Sequence, residues 1–253
     1  MINRIIPFRK LIVLFFLFIG INLILSCFAL SQEQEQPTQV QSIEEDPKTI
    51  CIEEGKHLFW EQNYSEAAKH LEKCAEMDPD NPEIYYYMAQ AYFQQGQSRS
   101  LLSGRKYYRQ AYDVSDTAIE KYLKVIEDKP EEDHTNNYLQ LAYIYQIRSL
   151  IPGVDEYQHA LDIYQKLLEE KPFVTSAYYH MGWIYYQQGR YQDTIDVYLK
   201  YLEPGFKSDF VYYHLGLSYD KIGEKEKAEY YFKLIIDEFP ETEMAARAEK
   251  ELK

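Results

Sequence analysis

Side chains that could do chemistry are few in this sequence and do not cluster. Its six histidines include His180 and His214, which are 34 residues apart. The sequence contains no glycine-rich phosphate loop, no nucleophile elbow, no His-Glu-x-x-His pair and no Cys-x-x-Cys pair. If 34 residues is a repeat period, these two histidines lie about 8–10 Å apart on neighbouring helices, too far to share one zinc ion. We therefore predict no enzyme activity, no catalytic residue, no metal site and no cofactor.

The elements that position these residues are announced by a recurrent spacing. An alanine is followed by a proline twelve residues later at Ala67/Pro79, Ala118/Pro130, Ala160/Pro172 and Ala228/Pro240. Gly182 and Gly216 are 34 residues apart and each precedes a small residue by twelve. Self-similarity at this period predicts a stacked helical solenoid, whose general activity is the binding of partners.

One unit shows why these residue types recur. A single face of its first helix carries Tyr178, Met181, Gly182 and Tyr185. Gly189 can end this helix in a left-handed turn. Gly182 and Thr194 are small where two antiparallel helices must cross closely. In other units a proline then ends the second helix.

This pattern resembles the tetratricopeptide repeat (TPR) family. The last unit shows it in full, with Tyr212, Leu215, Gly216, Tyr219, Ala228, Phe232 and Pro240. The resemblance implies an all-α fold, a right-handed superhelical solenoid of about five helix-turn-helix units. We place these units at 48–81, 82–134, 135–174, 175–208 and 209–242, followed by a capping helix at 243–253.

Two units are longer than the repeat, and both insertions fall between the paired helices. Ala89 to Ala118 spans 17 residues more than the usual twelve, and Ala142 to Ala160 spans six more. The shorter insertion, around 150–154, is expected to be a longer loop. The longer one, within 97–117, either extends both helices or forms a contact site for an acidic partner, since it is basic and aromatic. Pro204 arrives early in the fourth unit, so the second helix there should be short.

The first residues have the pattern of an export signal. Arg4, Arg9 and Lys10 precede an apolar run over 11–25. The run ends in Leu-Ser before Cys27, which resembles a bacterial lipobox and implies a signal peptide at 1–26 and a lipidated Cys27 carrying diacylglycerol and palmitate-type acyl chains. An ordinary cleavage site near 29–31 and an uncleaved anchor are the alternatives. All three place the repeats outside the cytoplasm.

The segment at 27–47 is polar and rich in Gln and Glu, so we predict a disordered tether. The net charge is −14, and it becomes −17 without residues 1–26. This charge disfavours nucleic acid as a partner. Two cysteines remain, Cys51 and Cys74, on the two helices of the first unit. They either form a disulfide or stay free as small core residues.

In the TPR family the first helices line a concave groove, and residues one place after the packing positions face into it. Carried over, this selects Tyr86, Phe93, Tyr143, Tyr179, Trp183, Tyr186 and Tyr213, together with Gln90 and Leu217. Tyrosine and tryptophan offer large contact area with a polar end, which suits a protein or peptide partner. We expect no small-molecule substrate.

The segment 231–252 is similar to the ends of TPR proteins of the bacterial envelope. We therefore expect a membrane-tethered scaffold or adaptor in the cell envelope, in the outer membrane or periplasm, anchored by its lipid. The alternative is a surface-exposed or secreted binder of extracellular ligands.

Overall fold

The computed structural model describes residues 46–253. This part of the chain holds eleven helices and no strand. The helices are α1 Pro47–Trp60, α2 Tyr64–Met77, α3 Pro82–Gln97, α4 Leu101–Asp128, α5 Thr135–Arg148, α6 Tyr157–Glu170, α7 Thr175–Gln187, α8 Tyr191–Leu202, α9 Asp209–Lys221, α10 Lys225–Glu238 and α11 Glu243–Glu251.

Local sequence signals set the helix boundaries. The Asn81 side chain accepts a hydrogen bond from the Glu83 N–H at 3.0 Å, and Pro82 occupies the first turn of α3. Gly189 has φ +72° in the turn between α7 and α8, a left-handed conformation that costs glycine little. These caps and turns make each helix pair a compact hairpin.

The hairpins stack in chain order. Each helix packs on the next one, and the first helices α1, α3, α5, α7 and α9 also pack on one another in succession. A helix whose neighbours are its chain neighbours and their equivalents is the defining contact pattern of a repeat array. The predicted all-α solenoid is confirmed.

Inside a hairpin, the closest approach joins a glycine to a ring sixteen residues later. A Cβ on Gly216 would lie 2.6 Å from Cε1 of Phe232, and Gly182 meets the Tyr198 ring in the same way. Thr194, expected opposite Gly182, is fully buried but donates its hydroxyl to the Arg190 carbonyl at 3.1 Å. The glycine therefore provides space for a large side chain rather than for a small–small contact. The equivalent large residues, all buried, are Leu71, Tyr122, Tyr164, Tyr198 and Phe232.

The two insertions take different forms. The longer one mainly lengthens the second helix of its unit, since α4 has 28 residues and α3 has 16. Its first turns lie tightly on α3, because a Cβ on Gly104 would be 2.5 Å from the Gly96 carbonyl oxygen. The shorter insertion lies in the loop 149–156 between α5 and α6. The helix before Pro204, α8, has 12 residues.

The signal peptide, Cys27 and nearly all of the predicted tether lie outside the described residues, and Pro47 already belongs to α1. Among the described helices, none has the length and apolar character needed to cross a bilayer.

Candidate functional site

A continuous series of aromatic rings joins the first helices of successive units. Tyr86 of α3 contacts Tyr143 of α5, with ring centroids 6.1 Å apart, and Tyr143 contacts His180 of α7 at 5.2 Å. Tyr179 of α7 then contacts Phe210 of α9 at 5.2 Å. Residues at equivalent places in neighbouring repeats therefore touch, and the series both binds the units together and forms one surface.

Three side chains of α7 keep part of their surface accessible on this face. Tyr179, Trp183 and Tyr186 are each half-buried and follow one another at four and three residues, the spacing of one helical face. Trp183 packs against Tyr157 at 6.2 Å, and Tyr186 packs edge-on to His214 at 4.7 Å. Their rings are held in place by neighbours while one side remains available. We call Tyr179, Trp183 and Tyr186 the aromatic face.

Tyr86 and Tyr143 are more enclosed. Burial raises the pKa of both hydroxyls above the usual value of 10.0. Their rings pack mainly on other residues of the array. These two side chains serve the contact between units more than they serve an outer partner.

Two predicted groove residues are corrected by the structure. Phe93 is 3% exposed because the inserted part of α4 covers it, with the Tyr108 ring 5.8 Å away. Tyr213 is 9% exposed because α11 packs on α9, and its hydroxyl donates to Glu251 at 3.4 Å. Gln90 is also buried. The family pattern does not include these covering elements, so it placed these residues on a surface that is closed here.

Two histidines that join the series were missed as part of it. The His180 ring is stacked on Tyr164 at 5.7 Å, and burial lowers its pKa to about 4. His214 packs on Phe210 at 4.1 Å, its Nδ1 lies 2.8 Å from the Phe210 carbonyl, and burial lowers its pKa as well. Both are therefore neutral at pH 7 and act as flat, partly polar rings. Their 34-residue spacing was the available signal.

The cysteines of the first unit are joined. Cys51 and Cys74 form a disulfide across α1 and α2, with Cα atoms 5.7 Å apart. His70 lies beside it, with Nε2 2.9 Å from the Cys51 carbonyl oxygen. These three residues are the described group whose ligand atoms, all within 4.8 Å of one another, could hold a metal ion. Because a metal binds the thiolate and not the disulfide, the oxidised pair has no such capacity.

Family models match three stretches of the chain. A TPR repeat model matches residues 55–96, and two tetratricopeptide repeat models match residues 154–208 and 210–242. The chain is a tetratricopeptide repeat protein. The matched stretches hold four of the five hairpins in whole or in part, and residues 97–153 lie between them.

Solved structures share the TPR fold. A TPR protein of Thermus thermophilus matches at 16% identity and TM-score 0.56 over 81% of this chain and 98% of its own. The C-terminal part of a TPR protein from Cytophaga hutchinsonii matches at 20% identity and TM-score 0.52, over 75% and 65%. MamA from Desulfovibrio magneticus RS-1 matches at 17% identity and TM-score 0.51, over 76% and 94%. No curated protein matches the sequence.

A TPR array is a scaffold for contacts between proteins, and the aromatic face is the surface of this TPR protein that fits such a role. Tyr and Trp are the residue types that dominate the energy of protein interfaces when they are held rigid and partly open. Burial raises the pKa of Tyr179 and Tyr186, so both stay neutral hydrogen-bond donors at any physiological pH.

Proposed function

We propose that this TPR protein is a membrane-tethered scaffold of the bacterial cell envelope that binds protein partners through its aromatic face. The observation that carries the binding site is the set of three half-exposed rings on α7, fixed by contacts to the units on either side. Such pre-ordered rings lose little conformational entropy when a partner binds, which favours affinity.

The envelope part of the proposal is supported by the sequence. A basic and apolar leader before Cys27 fits an exported lipoprotein, and a polar segment would separate the repeats from the lipid. A Cys27→Ala variant should leave the membrane fraction, and mass analysis of the wild-type protein should find an acylated N-terminal cysteine. Wild-type protein without acyl groups would remove the lipid anchor from the proposal.

The binding site is tested by crosslinking in cells and pull-down with the double variant Tyr179→Ala/Trp183→Ala. We expect a partner of the wild type to be lost. A matched control is Trp60→Ala/Tyr230→Ala, which removes one exposed tryptophan and one exposed tyrosine elsewhere on the array. If the test and control variants retain the same partners, the aromatic face is not the binding site.

Protease treatment of intact cells separates this scaffold from a surface-exposed or secreted binder. Repeats that face the periplasm stay intact until the outer membrane is opened. Digestion on intact cells would place the repeats outside and support the second function.

A further inference from the structure

The two insertions, distant in the repeat pattern, meet in space and build one groove. Residues 102–113 of α4 form one wall, and residues 151–154 of the loop after α5 form the other. The cavity between them measures about 440 Å³. Its whole lining lies in residues 97–153 and the adjoining Val154, at or between the edges of the stretches that the TPR models match. The groove is thus a feature that this chain adds to the repeat.

The two walls are fixed to each other by Arg148, which is 5% exposed at the end of α5. Its Nη1 donates to Asp116 of α4 at 2.7 Å, and its Nη2 donates to Glu156 of the loop at 2.9 Å. Its guanidinium also covers the Tyr112 ring, 3.9 Å from the centroid. One buried cation therefore joins helix and loop, so the groove has a defined shape before any ligand enters.

The lining is apolar at its base and basic along one side. Tyr108, Tyr112 and Ile151 supply apolar surface, and Ile151 belongs to the buried core of the first units. Arg105 and Arg109 lie seven and three residues before Tyr112 on the same wall. Leu102 stands at the end of the groove with 87% of its surface exposed.

The charge of the groove is opposite to that of the chain. Within the described residues Arg105 makes no ion pair, and Arg109 has only Asp113, at 3.9 Å and exposed to solvent. Two largely uncompensated cations beside an apolar cavity, in a chain of net charge −14, form a local positive potential. Such a site attracts an anionic group, and the apolar base favours a large side chain next to it.

We propose that this groove is a second binding site, separate from the aromatic face, which takes an acidic protein segment carrying a large apolar side chain. The apolar side chain enters between Tyr108 and Ile151. Carboxylates before or after it pair with Arg105 and Arg109, whose planar guanidinium groups can bind a carboxylate through two hydrogen bonds.

The test uses the purified full chain, solubilised in detergent, and short fluorescein-labelled peptides whose anisotropy reports binding. The first peptide has a central Leu-Phe pair flanked by glutamates. The second replaces the glutamates with lysines, and the third replaces Leu-Phe with Ala-Ala. We expect the first peptide to bind at least about tenfold more tightly than either of the others, and its affinity to fall with salt.

Variants locate the binding. Arg105→Glu/Arg109→Glu should weaken the first peptide at least about tenfold, as should Leu102→Ser with Tyr108→Ala to a smaller extent. Lys200→Glu/Lys250→Glu makes the same change in net charge at exposed positions elsewhere and should have no effect. Tyr179→Ala/Trp183→Ala should also leave this affinity unchanged, so the two sites can fail independently.

Several results would overturn the proposal. These are no binding of the acidic peptide, equal binding of the lysine peptide, or unchanged binding by the Arg105→Glu/Arg109→Glu variant. Two further measurements identify another occupant. Binding to phosphatidylglycerol vesicles that the arginine variant alone loses, without peptide binding, would indicate a lipid headgroup. Self-association that the same variant alone loses would indicate a second copy of the chain.

Discussion

The guanidinium of Arg148 lies over Tyr112, 3.9 Å from the ring centroid, and bonds at the same time to carboxylates of two different units. Asp116 belongs to α4 and Glu156 precedes α6. A buried cation with partners on both sides of a unit boundary couples the stability of the boundary to its own presence. Its removal leaves the carboxylate of Glu156, 19% exposed, without its cation.

We expect Arg148→Ala to lower the free energy of unfolding by about 3 kcal/mol, because it strands a half-buried charge. Arg148→Lys should recover only part of this loss, since a single ammonium cannot bridge both carboxylates and cover the ring. Urea titration of the three proteins measures it. Equal stability of Arg148→Ala and wild type would show that the network has no net effect.

The disulfide should stabilise the first unit. Cys51 and Cys74 are 23 residues apart, and closing a loop of this length in the unfolded chain is worth about 3 kcal/mol. A dithiol reductant should therefore lower the melting temperature of the wild type. The Cys51→Ala/Cys74→Ala variant should melt low in both conditions. A wild type that is insensitive to reductant, with thiol titration proving reduction, would contradict this.

Two buried tyrosines at equivalent places should respond differently to loss of the hydroxyl. Tyr198 has a buried hydroxyl that lacks a hydrogen-bond partner among residues 46–253, whereas the Tyr122 hydroxyl donates to Gln140 at 2.6 Å. The corresponding residue of the last unit is already Phe232. We expect Tyr198→Phe to be neutral or stabilising and Tyr122→Phe to cost about 1 kcal/mol. Chemical unfolding of both variants decides, and a larger loss for Tyr198→Phe would refute the assignment.

Gly182 should not tolerate a side chain. A Cβ there would collide with the ring of Tyr198, so we expect Gly182→Ala to destabilise the protein by about 1–3 kcal/mol through overpacking. The double variant Gly182→Ala/Tyr198→Leu tests the cause, because a smaller partner should make the alanine less costly. Strictly additive losses would indicate that the collision is relieved elsewhere.

Stability should fall in mild acid because His180 is buried in its neutral form. Its pKa is about 4 in the folded protein against 6.5 for the free side chain, so the unfolded state binds more protons between these values. Stability is therefore retained above pH 6.5 and decreases as the pH falls towards 4, by up to about 3 kcal/mol.

The variant His180→Phe keeps a ring between Tyr143 and Tyr164 and removes the titrating group. Urea unfolding between pH 7 and pH 4.5 should show a smaller slope for this variant than for the wild type. The slope should not vanish, since burial lowers the pKa of His214 in the same direction. Identical slopes would mean that His180 stays accessible to protons.

The fold could be predicted from spacing because each hairpin depends on a few local contacts. Gly182 and Tyr198, or Gly216 and Phe232, recur at the same separation, and a small residue opposite a ring determines how two helices cross. Such contacts are short in sequence, so a period in the sequence is enough to reveal them.

The candidate sites were less predictable because they depend on elements outside the period. Phe93 is covered by α4 and Tyr213 by α11, and a repeat pattern shows neither cover. The groove depends on where two insertions fold. The spacing of Ala89 and Ala118, or of Ala142 and Ala160, counts the additional residues but does not show that they meet.

The covalent link between α1 and α2 also determines where the array can open. In a repeat protein, local unfolding proceeds by separation of helices within a unit or of one unit from the next. The helices of the first unit cannot separate fully while Cys51 and Cys74 are joined. Partial unfolding of the described array should therefore begin in the units without a crosslink. A pull exerted on the chain before Asp46 would meet the crosslink within the first turns of α1, so it would load both helices of the first hairpin together instead of peeling α1 away.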